Sequence, residues 1–316
     1  MNQAAEHSDL DLLTRFLLDG AGVRGVRVHL HHTWQQIRER AGDAVRLAPA
    51  AVDLLGQATA AAALFTGHAK VGGRLSVQLR SSSVLRTLFA ECTATGTLRG
   101  IVQLRSDDPA AVEGTPMAQV SSDLRELGSD AVLAITVENP SRHGSDPNRY
   151  QGLVSLEADS LAGAFEDYFR QSEQLPTRLL LAADGTQAAG LMLQKLPGDE
   201  SGDADGWTRA CALFDTLSCQ ELLDLPAETL LLRLFHEEQV RLLGDRPLSF
   251  ACSCSRERVE SMLAALGEEE ALAAVSDDRA EVRCEFCGEH YLFTRRQVEG
   301  LLARHSSQVD APDRIQ

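Results

Sequence analysis

The stretch Ala251–Gly267, ACSCSRERVESMLAALG, sets Cys252 and Cys254 one residue apart ahead of a helical pattern, and a second pair, CEFC, spans Cys284–Cys287. Four of the chain's seven cysteines thus gather toward its C-terminal end. Two cysteine pairs held apart by a small module, here with 29 residues between Cys254 and Cys284, make a tetrahedral four-thiolate zinc site. Four sulfurs close the coordination sphere, whereas catalytic zinc keeps a position open, so a structural or regulatory ion is expected rather than an enzyme's. Gly288 lets the backbone turn after the second pair and aim amides at the sulfurs, as in a zinc knuckle. His290 is the rival fourth ligand. Four cysteines are preferred, because C-x-C already supplies two sulfurs and His290 is accounted for as a polar residue opening the strand HYLF.

Around these pairs the module is thin in apolar residues. Val259, Met262, Leu263 and Leu266 fall on one helical face that stops at Gly267, and EEEALAAV reads as a second short helix. Thr294 and Gln297 suit a capping box for a helix carrying Val298, Leu301 and Leu302. A core this small is marginal without a metal or disulfides. One Zn2+ is therefore expected to hold the module together, with binding energy of roughly 10–16 kcal/mol that is also folding energy. Thiolates are the form that oxidants attack, and a sulfenic acid can condense with a neighbouring thiol. Oxidation would strip the ion of its ligands, unfold the module and free any helices resting on it. A permanent structural zinc ribbon is the alternative that spacing leaves open.

Upstream, amphipathic stripes at Trp207, Cys211, Phe214 and Leu217, and at Leu230, Leu231, Leu234 and Phe235 after Pro226, predict helices that must lie on something. PGDESGDADG, Pro197–Gly206, has the composition of a solvated linker. Residues 199–250 therefore read as a helical linker between two folded parts. The first two thirds alternate helix and strand patterns. Leu10, Leu13, Phe16 and Leu17 predict a helix stopping near Gly20, followed by a strand at VRVHL; a second helix starts at about Pro49. RLSVQL, LRGIVQL, AVLAITV and GLVSL read as strands, SLAGAFEDYFRQSEQ as a helix, and TRLLLAA with AAGLMLQKL as two strands turning at Asp184 and Gly185. The expected class is α+β: a mixed α/β N-terminal domain with antiparallel strands, a helical linker and a small zinc-binding domain.

Charge and composition narrow the partners. A formal net charge of −16 repels phosphate backbones, so nucleic acid is not expected as a partner. No basic n-region opens the chain and no apolar run is read as long enough for a membrane span, so no membrane partner and a cytoplasmic location are expected. GAGVRG fits a dinucleotide fingerprint at Gly20, Gly22 and Gly25, but the expected helix before it and strand after it reverse the required order, leaving a turn. FHEEQ starts like a zinc-protease helix, yet Val240 stands where the second histidine belongs, so His236 reads as a solvated residue. His31 and His32 read as a polar pair at a strand end. Cys92, Cys211 and Cys219, each alone among apolar neighbours, read as small buried hydrophobes.

CSCSRERV with CEFCGEHYLF resembles the signature of the redox-regulated thirty-three-kilodalton heat-shock chaperone family, and RYQGLVSLEADSLAGAFEDYFRQSEQLPTRL, AAGLMLQKLP and ELLDLPAETLLLRLFHEE match it further. The resemblance implies an ATP-independent holdase, inactive when reduced and zinc-loaded, that on oxidation binds unfolding proteins and prevents their aggregation. It implies Cys252, Cys254, Cys284 and Cys287 as zinc ligands and Cys252–Cys254 and Cys284–Cys287 as the disulfides of the oxidised form. It also implies a homodimer when oxidised and transfer of clients to ATP-dependent chaperones. The expected organisation is a core domain over 1–198, a linker over 199–250, a redox-switch zinc domain over 251–305 and a disordered tail over 306–316. The rival reading is an interaction or translation-associated protein with a permanent zinc ribbon.

Overall fold

A computed structural model of the chain describes residues 10–42, 48–69, 71–105, 120–141, 147–197 and 203–309. The chain divides into two compact units, one ending at Ala251 and the other starting at Cys252. The first opens with strands β1 (Leu12–Leu18) and β2 (Val23–Leu30), then helices α1 (His32–Arg40) and α2 (Pro49–His68). Strands β3 (Arg74–Arg80), β4 (Leu85–Thr93), β5 (Thr97–Leu104), β6 (Val132–Asn139) and β7 (Asn148–Val154) follow. Helix α3 (Leu161–Tyr168) runs into a π-helical turn at Phe169–Glu173, before β8 (Thr177–Ala183) and β9 (Ala188–Lys195). Three helices, α4 (Gly206–Phe214), α5 (Cys219–Asp224) and α6 (Ala227–Phe235), lead to β10 (Val240–Pro247) and the short β11 (Ser249–Phe250).

These strands make two sheets, ordered β10-β1-β2-β9-β8 and β11-β5-β4-β3-β6-β7. Pairing is antiparallel except where β11 runs parallel to β5. The sheets share a core with α2 between them, where Leu55 and Leu64 meet Val28, Val77 and Leu88. Ala60, Ala61, Ala62 and Ala63 are fully buried, and side chains this small let both sheets close on the helix. α2 has the length and apolar composition to cross a membrane, contrary to the sequence reading, but its residues are the filling of this core.

The opening segment corrects another expectation, since Leu12–Leu18 is a strand and not a helix. Leu13 faces the core shared with α2, while Phe16 and Leu18 belong to a second core on the opposite face. A strand buried on both faces loses its alternation, and its apolar residues then fall by chance at helical spacing. GAGVRG accordingly joins two strands through a turn, with Gly22 at a φ of 61°. A Cβ on Gly25 would stand 2.0 Å from the Phe16 ring, so this glycine makes room for Phe16 to lie across β2. The strands expected at RLSVQL, LRGIVQL and AVLAITV and the β8–β9 hairpin are present, as is the helix starting at Pro49.

The second core covers the outer face of the five-stranded sheet. Phe214, Leu222, Leu230, Leu234 and Phe235 from the three helices pack there on Phe16, Val23, Leu191 and Leu193. Polar ties add to it: Arg27 Nη2 donates to the Leu225 carbonyl at 2.5 Å, Arg178 pairs with Asp215, and Arg209 Nε donates to the buried Glu238 carboxylate at 2.5 Å. The stretch 199–250 is thus not helical throughout. From Val240 it is an edge strand paired with β1, kinked near Gly244. Residues 198–202 of the acidic stretch lie outside the described residues.

The second unit contains α7 (Arg256–Ala265), α8 (Glu268–Ala273), β12 (Val275–Ser276), β13 (Arg279–Arg283), β14 (His290–Thr294) and α9 (Arg295–Val309). Its sheet runs β12-β13-β14. Seven residues form its buried core: Val259, Leu263, Ala271, Ala280, Phe293, Val298 and Leu301. Met262 and Leu266, expected on the buried face of α7, are 45% and 43% exposed. Gln297 Oε1 accepts from the Thr294 amide at 2.8 Å and Thr294 Oγ1 from the Gln297 amide at 3.3 Å, the capping box the sequence suggests. α9 continues to Val309, beyond the expected start of a tail at 306; residues 310–316 lie outside the described residues.

Candidate metal centre

Two local structures bring the four cysteines together. Cys252 and Cys254 lie in the extended segment before α7, which Ser255 caps by accepting the Arg258 amide at 3.3 Å. Arg258 Nη1 donates back to the Ser253 carbonyl at 2.8 Å, fixing the segment between the two cysteines. Cys284 follows the last residue of β13 and Cys287 sits in the turn before β14. That turn is closed by hydrogen bonds of 2.8 Å from the Gly288 amide to the Cys284 carbonyl and from the Cys284 amide to the Glu289 carbonyl. Gly288 adopts a φ of 76°, a conformation any side chain would strain.

All four Sγ atoms lie within 4.8 Å of one another. Cys252 Sγ is 3.6 Å from Cys284 Sγ, and Cys254 Sγ is 3.3 Å from Cys287 Sγ. Four sulfurs about 2.3 Å from a tetrahedral zinc would stand about 3.8 Å apart. The observed spacing fits that group, and the four cysteines are positioned to hold a metal ion. Burial, reinforced by the sulfurs of Cys254, Cys284 and Cys252, pushes the Cys287 thiol well above its ordinary value. Ionising four sulfurs at this distance calls for a cation among them. Tyr291 Oη donates to Cys254 Sγ at 3.1 Å, a bond from β14 to the segment before α7 that the sequence reading missed. Arg256 adds a second tie, its guanidinium 4.2 Å from the Phe293 ring centroid and Nη1 donating to the Leu292 carbonyl at 3.2 Å.

The other candidates lie elsewhere. The His290 ring is exposed and pairs through Nδ1 with Glu281, outside the cysteine cluster. His31 and His32 stack edge to face at 4.7 Å, and their amides donate to the Asp11 carboxylate at the start of α1. His236 is exposed beside Glu237. Among the lone cysteines, Cys92 is buried, with its thiol pushed up to about 11 by burial, but Cys211 is half-buried and Cys219 exposed. Cys219 therefore is not the buried hydrophobe expected; it stands at the first position of α5 with its side chain toward solvent.

Fold and centre together define an α+β protein whose small C-terminal unit is organised around a four-cysteine site suited to a metal. A family model described as Hsp33 protein matches residues 11–294. The 33 kDa chaperonin of Nitrosococcus oceani is 42% identical over 304 residues, covering 96% of each chain. That of Ectopseudomonas mendocina is 39% identical over 310 residues, covering 96% of this chain and 99% of its own. The chain belongs to the Hsp33 family. The crystal structure of the 33 kDa chaperonin, an Hsp33 homolog, from Thermotoga maritima shares the fold with a TM-score of 0.72 at 21% identity, over 95% of this chain and 99% of that one. The resemblance read from the cysteine motifs is thereby shown, and the family and its members' names support a chaperone.

Proposed function

We propose that this chain is an ATP-independent holdase switched on by oxidation, and the cluster of four sulfurs within 4.8 Å carries that reading. In the reduced form Cys252, Cys254, Cys284 and Cys287 hold one Zn2+, which clamps the segment before α7 to the β13–β14 turn. Oxidation joins Cys252 to Cys254 and Cys284 to Cys287. Each pair passes two electrons to one peroxide molecule, which takes up two protons and leaves as two waters. The reduced packing sets Cys252 beside Cys284 and Cys254 beside Cys287. A disulfide within either motif takes two of the four sulfurs from the ion, which supports coupling of oxidation to unfolding.

In this reading residues 1–198 are the core domain, 199–250 the linker and 251–305 the redox switch. Melting of the linker helices uncovers Phe16, Val23, Leu191 and Leu193, an apolar surface of the kind that captures unfolding proteins. The protein acts in the cytoplasm, dimerises when oxidised and passes clients to ATP-dependent chaperones. The test follows zinc release with a chromogenic chelator during peroxide and hypochlorite titration, with aggregation of a denatured client assayed in the same samples. Zinc release and client protection should rise together and reverse with a thiol reductant plus zinc. Zinc that stays bound, or leaves without a gain in protection, makes the centre a permanent clasp.

A further inference from the structure

Unit one holds a cavity of about 340 Å³, far in sequence from the cysteines. Its size is at the lower end of the range for small-molecule sites, roughly 300–1,000 Å³. The end of α2 contributes Phe65 and His68, strands β2, β3 and β6 contribute Arg24, Leu75 and Val137, and the π-helical turn contributes Phe169. π-helical turns of this kind recur at functional sites, because the extra residue re-aims side chains. Phe65 and Phe169 meet edge to face at 5.2 Å, making one wall a rigid aromatic surface.

One charge in this lining has no counter-charge among the described residues. Arg24 is half-buried; its Nε donates to Gln194 Oε1 at 3.1 Å and its Nη2 lies 2.8 Å from His68 Nε2. Both partners are neutral, since burial and the Arg24 charge hold the His68 pKa to about 4. Among the described residues no carboxylate pairs with Arg24, and the one acid in the lining, the exposed Glu173, accepts from Tyr168 Oη at 3.3 Å. Nη1 keeps two N–H donors without a protein partner among the described residues. A half-buried guanidinium held by neutral groups at an apolar wall is arranged for an anion that brings its own apolar body. No lysine or second arginine lines the cavity, which suits a single negative charge rather than a phosphate dianion.

We propose that this cavity binds a small apolar monocarboxylate, its carboxylate on Arg24 and its chain or ring against Phe65, Phe169 and Val137. The proposal is independent of the metal centre and of the chaperone reading. The test is isothermal titration of the full-length reduced protein with hexanoate and with phenylacetate, using hexanamide as the neutral control. One-site binding is expected, weakened about tenfold or more for hexanamide and for Arg24→Met, a tenfold change being about 1.4 kcal/mol. Arg24→Lys should retain part of the affinity. Val137→Phe, which fills the cavity without touching the charge, should abolish binding. Should Arg24→Met fail to fold, Val137→Phe and the wild-type methyl NMR shifts of Ile135, Val137 and Leu175 decide the matter. Hexanamide binding as tightly as hexanoate, affinity surviving Val137→Phe, or no heat and no methyl shift at about 10 mM hexanoate, weaker than ordinary ligand affinities, overturns it.

Discussion

Tyr291 donates its hydroxyl to Cys254 Sγ, and such a bond to a ligating sulfur stabilises the thiolate that a metal needs. Tyr291→Phe should keep the fold and lower zinc affinity about tenfold or more, the usual cost of losing a group that orients a ligand; chelator competition on the reduced protein measures it. His68 gives a second expectation, with a sign that can be worked out. Folded, it stays neutral down to about pH 4, whereas its ordinary value is near 6.5. Between those values the unfolded chain binds the extra proton, so stability falls as pH drops below 6.5 and the loss approaches about 3 kcal/mol near pH 4. Urea midpoints at several pH values, read by the fluorescence of Trp34 and Trp207 in unit one, should show that slope and lose it in His68→Gln. The four cysteines were legible because each pair is a local spacing whose chemistry needs no fold to be recognised. The bond from Tyr291 was not, since its partner lies 37 residues away and comes near only in the folded unit.

At the scale of elements, the helices α4–α6 are held mainly by apolar contact with one face of a sheet. Leu234, 2% exposed, sits in the middle of that contact, while Leu232 is 67% exposed on the opposite face of α6. Leu234→Ala should cost about 2–5 kcal/mol, raise hydrogen exchange across 206–235 and, on the proposed function, give client protection without oxidant. Leu232→Ala should do none of these, and equal behaviour of the two variants would count against docking as the restraint. Ser218 and Glu221 cap α5 reciprocally, so Ser218→Ala should destabilise the helix by about 1 kcal/mol, visible in the same exchange experiment. The stripes of α4 and α6 were readable from 3.6-residue spacing, but the surface they lie on was not. β1 and β10 sit between them and that reading: β1 mimics a helix because both its faces are buried, and VRLLGDRP pairs with a strand more than two hundred residues earlier.

At the scale of the whole molecule, the two units differ in what holds them. Unit one has two cores that share a sheet, whereas among the described residues the second unit has a core cluster of seven and four converging sulfurs. Removing metal with a strong chelator under reducing conditions should therefore strip amide protection from 252–309 and leave β2, β4 and β9 protected. Protection that persists in the second unit would mean that its small core suffices alone. On the proposed function, the path of the chain between the two sheet strands sets the kinetics of recovery. The chain leaves the five-stranded sheet after Lys195 and returns to it at Val240, so the helices form a loop of 44 residues with both ends pinned in one sheet. Melted, that loop stays anchored; its closure entropy, about 3 kcal/mol for a chain of this length, is already supplied by β10 pairing with β1. On that reading, once the thiols are restored, re-covering the sheet is a unimolecular event, and its half-time should not change when the protein is diluted at fixed zinc and reductant.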